Sequence, residues 1–323
     1  MPENGARAAL AGLDLFDGVA DEVIERMAMA GRPFALAAGE YLFREGDPGD
    51  FISLIESGRV DAILRLPGGR ELEIQPIGAG DLIGEMGVLS QRPRRISVRA
   101  AEDTAGWSFS LADVGRLGAA DQPEVARRLG RLALNRLREQ YERLGAQCGD
   151  DPRSGEPARS ASFYDAAPVL PVESGAGESD YLETVLFFSR FSTEELEELF
   201  GDLRRLEAPR GADVVAEGSL LVVMRGAIET SIRRGGLAAR ARLAGPGRFV
   251  GHLNLLGEDA GAPSSRARER ALLLELPLER VAEIVDRGDD TGRRFALGVY
   301  ADVVDALFEA QRPIARMAAA GGL

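Results

Sequence analysis

Residues 81–100, DLIGEMGVLSQRPRRISVRA, carry the pattern from which the fold of this chain can be predicted. Gly84 lets the backbone approach a ligand closely because it has no Cβ. Glu85 opens a short helical turn, and the free N–H groups at the start of such a turn point toward a negative charge. Behind Pro93, Arg94 supplies a planar cation that can bind two phosphate oxygens at once. The stretch therefore predicts a pocket for a small anion.

A carboxylate beside a phosphate is repelled unless it has another partner. A sugar hydroxyl that donates to Glu85 would be such a partner, so the stretch favours a sugar phosphate or a nucleotide as ligand. Ile96 and Val98, with Ser97 between them, alternate as a strand does and predict the strand that follows the pocket.

The composition limits the function classes. The chain has 323 residues, 45% hydrophobic and 28% charged, which is typical of globular domains. The net charge is −13, which disfavours a general nucleic-acid or membrane-surface binder. One Cys and one His argue against a disulfide, a metal cluster or a Ser-His-Asp triad. No apolar run of about 18 residues and no signal peptide stand out, so we expect a soluble, cytoplasmic protein without a membrane span.

The chain reads as helix, then short strands, then helix. Residues 10–30 carry a helical apolar stripe, and residues 34–109 alternate between apolar runs and Gly-rich turns, which indicates a barrel or sandwich. Residues 110–118 predict a short helix and residues 123–146 a long one, with Gly145 near its end. The predicted strands are 34–37, 41–44, 51–55, 59–66, 70–77, 96–100 and 105–109.

The same order then repeats after a segment rich in Pro, Gly and Ser at 147–178, which we interpret as a linker. Residues 181–200 predict a helix, 277–287 and 293–316 predict terminal helices, and Gly245 to Gly251 echoes Gly78 to Gly84. Strands are predicted at 214–215, 220–224, 227–233, 237–243 and 271–276.

The repeated unit resembles the cyclic-nucleotide-binding domain of bacterial catabolite activators and of the regulatory subunits of cyclic-AMP-dependent kinase. The resemblance rests on Gly84-Glu85 with its short helix, on Pro93-Arg94 and on the turn at 45–47. It implies a mainly β fold with flanking helices, that is, two β-roll (jelly-roll) domains in tandem, each followed by a long helix. The implied domains are 10–146 and 179–316, joined by the linker 147–178.

The resemblance also implies roles for individual residues. Glu85 would accept from the ribose hydroxyl and Arg94 would pair with the cyclic phosphate. Backbone groups near Gly87 would add hydrogen bonds. Ile74 would pack on the base, and the long helix would reach the purine. The full set of implied binding residues is Gly84, Glu85, Met86, Gly87, Arg94, Arg95, Ile96, Ile74, Gln140 and Tyr141.

One residue departs from the family pattern, because Arg95 stands where a small residue is usual. Its guanidinium would point either to solvent or into the pocket, where it would favour a more highly charged ligand. Cyclic AMP is the expected ligand, with cyclic GMP and cyclic di-GMP as alternatives.

The second copy lacks the binding residues. His252 replaces Glu, Ser264 replaces Arg, and the turn at 217–219 is truncated. We interpret it as a non-binding copy, with Arg266 or Arg268 as the alternative source of a cation.

The first functional hypothesis is a cyclic-nucleotide sensor that signals to an unknown protein partner, without enzymatic activity. The alternative is a scaffold that binds no ligand, because the second copy shows that the fold survives without its pocket. A cyclic di-GMP effector and a transcription regulator rank lower, and no helix-turn-helix follows the long helix, so DNA is not an expected partner. A homodimer through 123–146 or 293–316 is expected.

Overall fold

The computed structural model describes residues 2–13, 16–17, 19–66, 69–110, 122–150, 156–157, 169–172, 187–234, 237–257 and 263–319. They fall into two compact units, Met1–Gly130 and Arg131–Leu323. Each unit consists mainly of antiparallel β-sheet with flanking helices. The predicted fold class, with tandem β-roll domains, is therefore confirmed.

The first unit begins with two helices rather than the single one predicted over 10–30. These are α1 (Pro2–Ala11) and α2 (Asp21–Ala30). Between them, the Phe16 N–H donates to the Leu13 carbonyl at 2.8 Å. The buried face of α2 is formed by Val23, Ile24, Met27 and Ala28, so the second half of the predicted stripe is confirmed. Its first half was wrongly assigned to a helix, because Leu13, Phe16 and Val19 lie between α1 and α2.

Eight strands follow in the first unit and form two four-stranded antiparallel sheets. One sheet has the order β1-β8-β3-β6 and the other β2-β7-β4-β5. The alternation of apolar residues is what buries one face of these strands against a shared core. That core contains Phe43, Ile55, Val60, Ala62, Ile77, Ile83 and Val98. The strands are β1 (Arg32–Leu36), β2 (Tyr41–Phe43), β3 (Phe51–Ser57), β4 (Arg59–Arg65), β5 (Glu71–Gly78), β6 (Leu82–Ile83), β7 (Ser97–Ala100) and β8 (Thr104–Ser110).

The predicted pocket helix is present as α3 (Glu85–Ser90), between β6 and β7. The short strand β6 was not predicted. The helix predicted over 110–118 lies outside the described residues.

The long helix α4 (Gln122–Asp150) extends beyond its predicted end. Gly145 does not end it. A Cβ on Gly145 would lie 3.1 Å from Cγ2 of Ile232, so the glycine instead allows a close approach of the helix to a strand of the second unit. The sequence assigns the whole helix to the first domain, whereas the division between the two compact units falls within it.

The second unit repeats the two-sheet plan with five strands in each sheet. The two additional strands come from the predicted linker: β9 (Glu156–Pro157) pairs with β15, and β10 (Leu170–Val172) pairs with β11. The others are β11 (Arg205–Ala208), β12 (Asp213–Val214), β13 (Ser219–Arg225), β14 (Ile228–Arg234), β15 (Leu237–Ala244), β16 (Phe249–Val250), β17 (Ser264–Ala267) and β18 (Ala271–Pro277).

In the second unit, helices precede β11 and follow β18. A 3-10 turn at Phe188–Arg190 precedes α5 (Thr193–Phe200), where a single helix over 181–200 was predicted. Ser192 and Glu195 form a reciprocal capping box that fixes the start of α5. The chain ends in α6 (Leu278–Asp286) and α7 (Asp290–Ala319), and α7 packs on β15.

Each unit carries a β-bulge at the same place in its repeat, between β4 and β5 in the first unit and between β14 and β15 in the second. Between β4 and β5 the register shifts at Ile74, which is the extra residue of β5, and between β14 and β15 it shifts at Ala241, which is the extra residue of β15. A bulge reverses the in–out alternation of the residues beyond it. In the second unit the reversal buries Arg242 and leaves Leu243 48% exposed.

Candidate functional site

The site in the first unit is built on a backbone turn that only glycine adopts readily. Gly84 has φ +93° and precedes α3, whose first residue is Glu85. A Cβ on Gly84 would lie 2.8 Å from Nη1 of Arg94 and 3.0 Å from the Phe51 carbonyl oxygen. A Cβ on Gly87 would lie 2.7 Å from the same Nη1. The two glycines therefore make the space in which the Arg94 guanidinium lies.

Arg94 is 4% exposed and holds the turn from inside. Its Nη1 donates to the Gly84 carbonyl at 2.7 Å and its Nη2 to the Phe51 carbonyl at 2.6 Å. The guanidinium carbon also lies 4.2 Å from the centre of the Phe43 ring and 4.5 Å from that of Phe51. A guanidinium fixed by two carbonyls and two rings presents its charge in one orientation.

The upstream Glu-Gly-Asp turn supports the backbone of Arg94. The Arg94 N–H donates to the Asp47 carbonyl at 2.8 Å, and the Gly46 N–H donates to the Arg94 carbonyl at 2.8 Å. Gly46 has φ +92°, so it too requires glycine. The turn at 45–47 and the Pro93-Arg94 motif are distant in sequence, and these two hydrogen bonds join them in the fold.

The site brings the positive charge of Arg94 together with the negative charges of nearby carboxylates. Burial lowers the pKa of Arg94, while Asp50, Glu85 and Asp47 act in the opposite direction. Glu85 has no solvent-exposed surface. Nε of Arg94 is buried and, within the described residues, has no hydrogen-bond partner. A cationic donor left in this condition favours an anion.

The remaining predicted residues of the first unit lie around this centre. Met86 and Gly87 are buried on α3, Ile96 packs against the core before β7 begins, and Ile74 is the bulge residue of β5. Arg95 is half-buried.

Gln140 and Tyr141 lie in the second compact unit, where both are buried. Burial raises the pKa of Tyr141 to about 12, so its hydroxyl keeps its proton. Their contact with a purine of the first site stays a prediction.

In the second unit the same backbone turn carries different side chains. Gly251 has φ +91° and precedes a 3-10 helix that starts at His252. Nδ2 of Asn254 donates to the Ser219 carbonyl at 2.9 Å and also to the Ala216 carbonyl. Ser219 begins β13 as Phe51 begins β3. The neutral Asn254 amide therefore replaces the Arg94 guanidinium at the equivalent carbonyl.

The alternative cations of the second unit do not take the role of Arg94. Arg266 pairs with Asp213 at 2.8 Å and Arg268 pairs with Glu229 at 3.4 Å, and both arginine side chains are at least a third exposed. Ser264 is exposed.

Sequence reasoning missed the buried charges of the second unit. Arg242 of β15 is 3% exposed and Asp302 of α7 is 5% exposed, and they pair at 2.7 Å. Arg242, His252 and Tyr141 are among the residues that line a cavity of 910 Å³. The sequence did contain a signal for these buried charges, because Asp302 and Asp305 interrupt the otherwise apolar stripe of α7.

A protein family model matches a part of the chain that lies in the first unit. Residues 33–121 match the family model of the cyclic nucleotide-binding domain. This chain therefore contains a cyclic nucleotide-binding domain, and it holds Gly84, Glu85 and Arg94.

Two of the curated relatives match part of this chain. A "CRP-like cAMP-activated global transcriptional regulator" of Mycobacterium tuberculosis is 33% identical over 129 residues, 40% of this chain and 57% of that protein. "Acetyltransferase Pat" of Mycolicibacterium smegmatis is 32% identical over 204 residues, 61% of this chain and 54% of that protein. The chain thus spans only a little over half the length of either relative.

Among solved structures, the regulatory domain of Toxoplasma gondii PKA with cAMP aligns with 88% of this chain and 93% of that one. The identity is 16% and the TM-score is 0.36. In the part of the chain that the structure describes, no helix is both long and apolar enough to cross a membrane.

Proposed function

We propose that this chain is a cyclic-nucleotide sensor that binds its ligand in the first unit, with cyclic AMP as the first candidate. The observation that carries the proposal is the burial of both Arg94 and Glu85 at the Gly84 turn, inside the matched domain. The guanidinium supplies the phosphate contact and the carboxylate accepts from a ribose hydroxyl. Cyclic GMP and cyclic di-GMP remain the alternative ligands.

The proposed output is a change in α4, without enzymatic activity and in the cytoplasm. This helix begins in the unit that holds the site and ends in the other, where Tyr141 lies near the charge of Arg242. A ligand that binds one arrangement of α4 better than another would shift the population of that arrangement, by no more than its differential affinity. A protein partner would respond to that shift.

The proposed homodimer needs a surface other than the two apolar stripes named in the sequence. Leu129, Leu137 and Leu144 of α4 are buried within this chain, as are Phe295 and Val303 of α7. A homodimer would therefore use the polar faces of these helices or other surfaces.

The experiment is isothermal titration of the whole chain with cyclic AMP, cyclic GMP and cyclic di-GMP. Arg94→Lys keeps the charge but loses the planar, two-pronged contact, so we expect its affinity to fall at least about tenfold. The matched control is Arg99→Lys, because Arg99 pairs with Glu71 on the exposed side of the sheet at 3.2 Å. Unfolding curves of both variants confirm that they are folded.

The scaffold hypothesis predicts the opposite result. If none of the three nucleotides gives a saturable heat at millimolar concentration with the folded wild-type chain, the sensor proposal fails. Equal affinity of the folded Arg94→Lys variant and the wild type would show that a nucleotide binds elsewhere.

A further inference from the structure

The second unit contains a complete anion-binding site, and the carboxylate of Asp302 lies in it. Oδ1 accepts from Nη2 of Arg242 at 2.7 Å and from Nη1 of Arg248 at 2.9 Å. Oδ2 accepts from the Phe249 backbone N–H at 2.9 Å and lies 2.9 Å from Nε2 of His252. Two guanidinium groups, a main-chain amide and an imidazole are the donors that proteins use for phosphates and carboxylates.

The protonation states fit this assignment. Burial by itself would raise the pKa of Asp302, but Arg242 and His252 outweigh it and lower that pKa well below its ordinary value. Burial lowers the pKa of His252, and Arg242 and Arg248 lower it further against the pull of Asp302. Since an ionised carboxylate can only accept hydrogen bonds, Nε2 of His252 is the donor in its contact with Oδ2 of Asp302.

The site occupies the elements that correspond to the ligand site of the first unit. His252 follows the left-handed Gly251 as Glu85 follows Gly84, and Arg242 lies just after the bulge of β15, where β5 has Gln75. A carboxylate at position 252 would face Asp302 and repel it. Because a donor, His252, stands where the first unit has the acceptor Glu85, the second unit can bind the carboxylate of Asp302 from its own helix α7.

We propose that Asp302 is a built-in ligand of the second unit: its carboxylate occupies an anion site on the barrel and thereby holds α7 against β15 and β16. Arg248 also pairs with Asp305, so two carboxylates one helical turn apart contact the barrel. The second unit keeps its last helix docked without any small molecule. An external small carboxylate enters the site only when that of Asp302 is removed.

The test uses the whole chain and the Asp302→Ala variant, read out by hydrogen exchange of α7 amides. Removal of the carboxylate takes from the buried Arg242 guanidinium its partner at 2.7 Å and leaves it Glu309, whose Oε2 lies 3.5 Å from Nε. Exchange along α7 should therefore accelerate roughly a hundredfold. Sodium formate, which replaces the lost carboxylate, should restore protection in a saturable way, whereas sodium chloride at equal ionic strength should not. The control is Asp305→Ala, which leaves Arg242 and His252 in contact with Asp302 and should show no specific effect of formate.

Two outcomes would overturn the proposal. One is wild-type protection of α7 in Asp302→Ala. The other is an accelerated exchange that formate and chloride affect equally. If Asp302→Ala does not fold, Asp302→Asn keeps the shape and removes the charge. Faster exchange of α7 in that variant supports the proposal, and unchanged exchange refutes it, because packing alone would then hold the helix.

Discussion

Three glycines of the first unit allow backbone strain and side-chain crowding at the candidate site to be separated. Gly80 has φ +87° and a Cβ there would meet nothing within 4 Å. On Gly87 a Cβ would lie 2.7 Å from Nη1 of Arg94, in a helix where alanine is comfortable. Gly84 combines both conditions, with φ +93° and a Cβ 2.8 Å from the same atom. Alanine at Gly84 or Gly87 therefore displaces the Arg94 guanidinium, and a Cβ on Gly87 also lies 3.0 Å from the Gly49 Cα. Alanine at Gly80 is the control for backbone strain alone.

The magnitudes follow from these contacts. A left-handed alanine costs about 1–2 kcal/mol, so Gly80→Ala should lower the free energy of unfolding by that amount and leave nucleotide affinity unchanged. Gly87→Ala displaces the guanidinium from its carbonyl partners, and hydrogen bonds to a charged group contribute about 1.5–3 kcal/mol each. Affinity in that variant should fall about tenfold or more. Gly84→Ala should show both losses together.

The assays are urea unfolding and isothermal titration with cyclic AMP on all three variants. The reasoning is refuted if Gly87→Ala binds as the wild type does, since the crowded guanidinium would then play no part in binding. It is also refuted if Gly80→Ala weakens binding as much as Gly84→Ala, because general destabilisation would then explain both results.

Two further predictions concern His252 and Arg95. The chain has one histidine, whose pKa is lowered on folding, so the unfolded chain takes up the proton first as pH falls. Stability should therefore decrease below about pH 6.5, by at most about 1.4 kcal/mol per pH unit, and His252→Gln should remove this slope in unfolding experiments at pH 5.5 to 7.5. For Arg95, we expect Arg95→Ala to change the dissociation constant of cyclic AMP by less than about threefold, as measured by titration; a tenfold loss would place this side chain in the pocket.

Local patterns in the sequence were sufficient to predict the backbone turn and the short helix of the candidate site in the first unit. The turn at Gly84, the short helix from Glu85 and the cation at Arg94 are separated by fewer than about fifteen residues, and each has its own local requirement. The alternation of apolar residues likewise located most strands to within two residues. Short strands such as β6 were missed because two residues cannot display a period.

Contacts between distant segments could not be predicted in the same way. Residues 169–172 show no strand pattern, yet Val169 packs on the core of the second unit and β10 pairs with β11. A Pro-rich segment of this kind gains its structure from an available sheet edge, and the sequence of the segment does not encode that edge.

The second unit has a buried guanidinium at its anion site because of a one-residue β-bulge. Without the bulge at Ala241, the alternation would direct Leu243 toward the core and Arg242 away from it, and the anion site of Asp302 would lack its buried guanidinium. The first unit has the same bulge at Ile74, but there the following residue is Gln75, which carries no charge. The two units therefore share one backbone geometry but differ in the source of the cation. It comes from the loop after α3 in the first unit and from the bulged strand β15 in the second. A single-sequence pattern cannot distinguish these cases, because the register of pairing decides which residue enters the core.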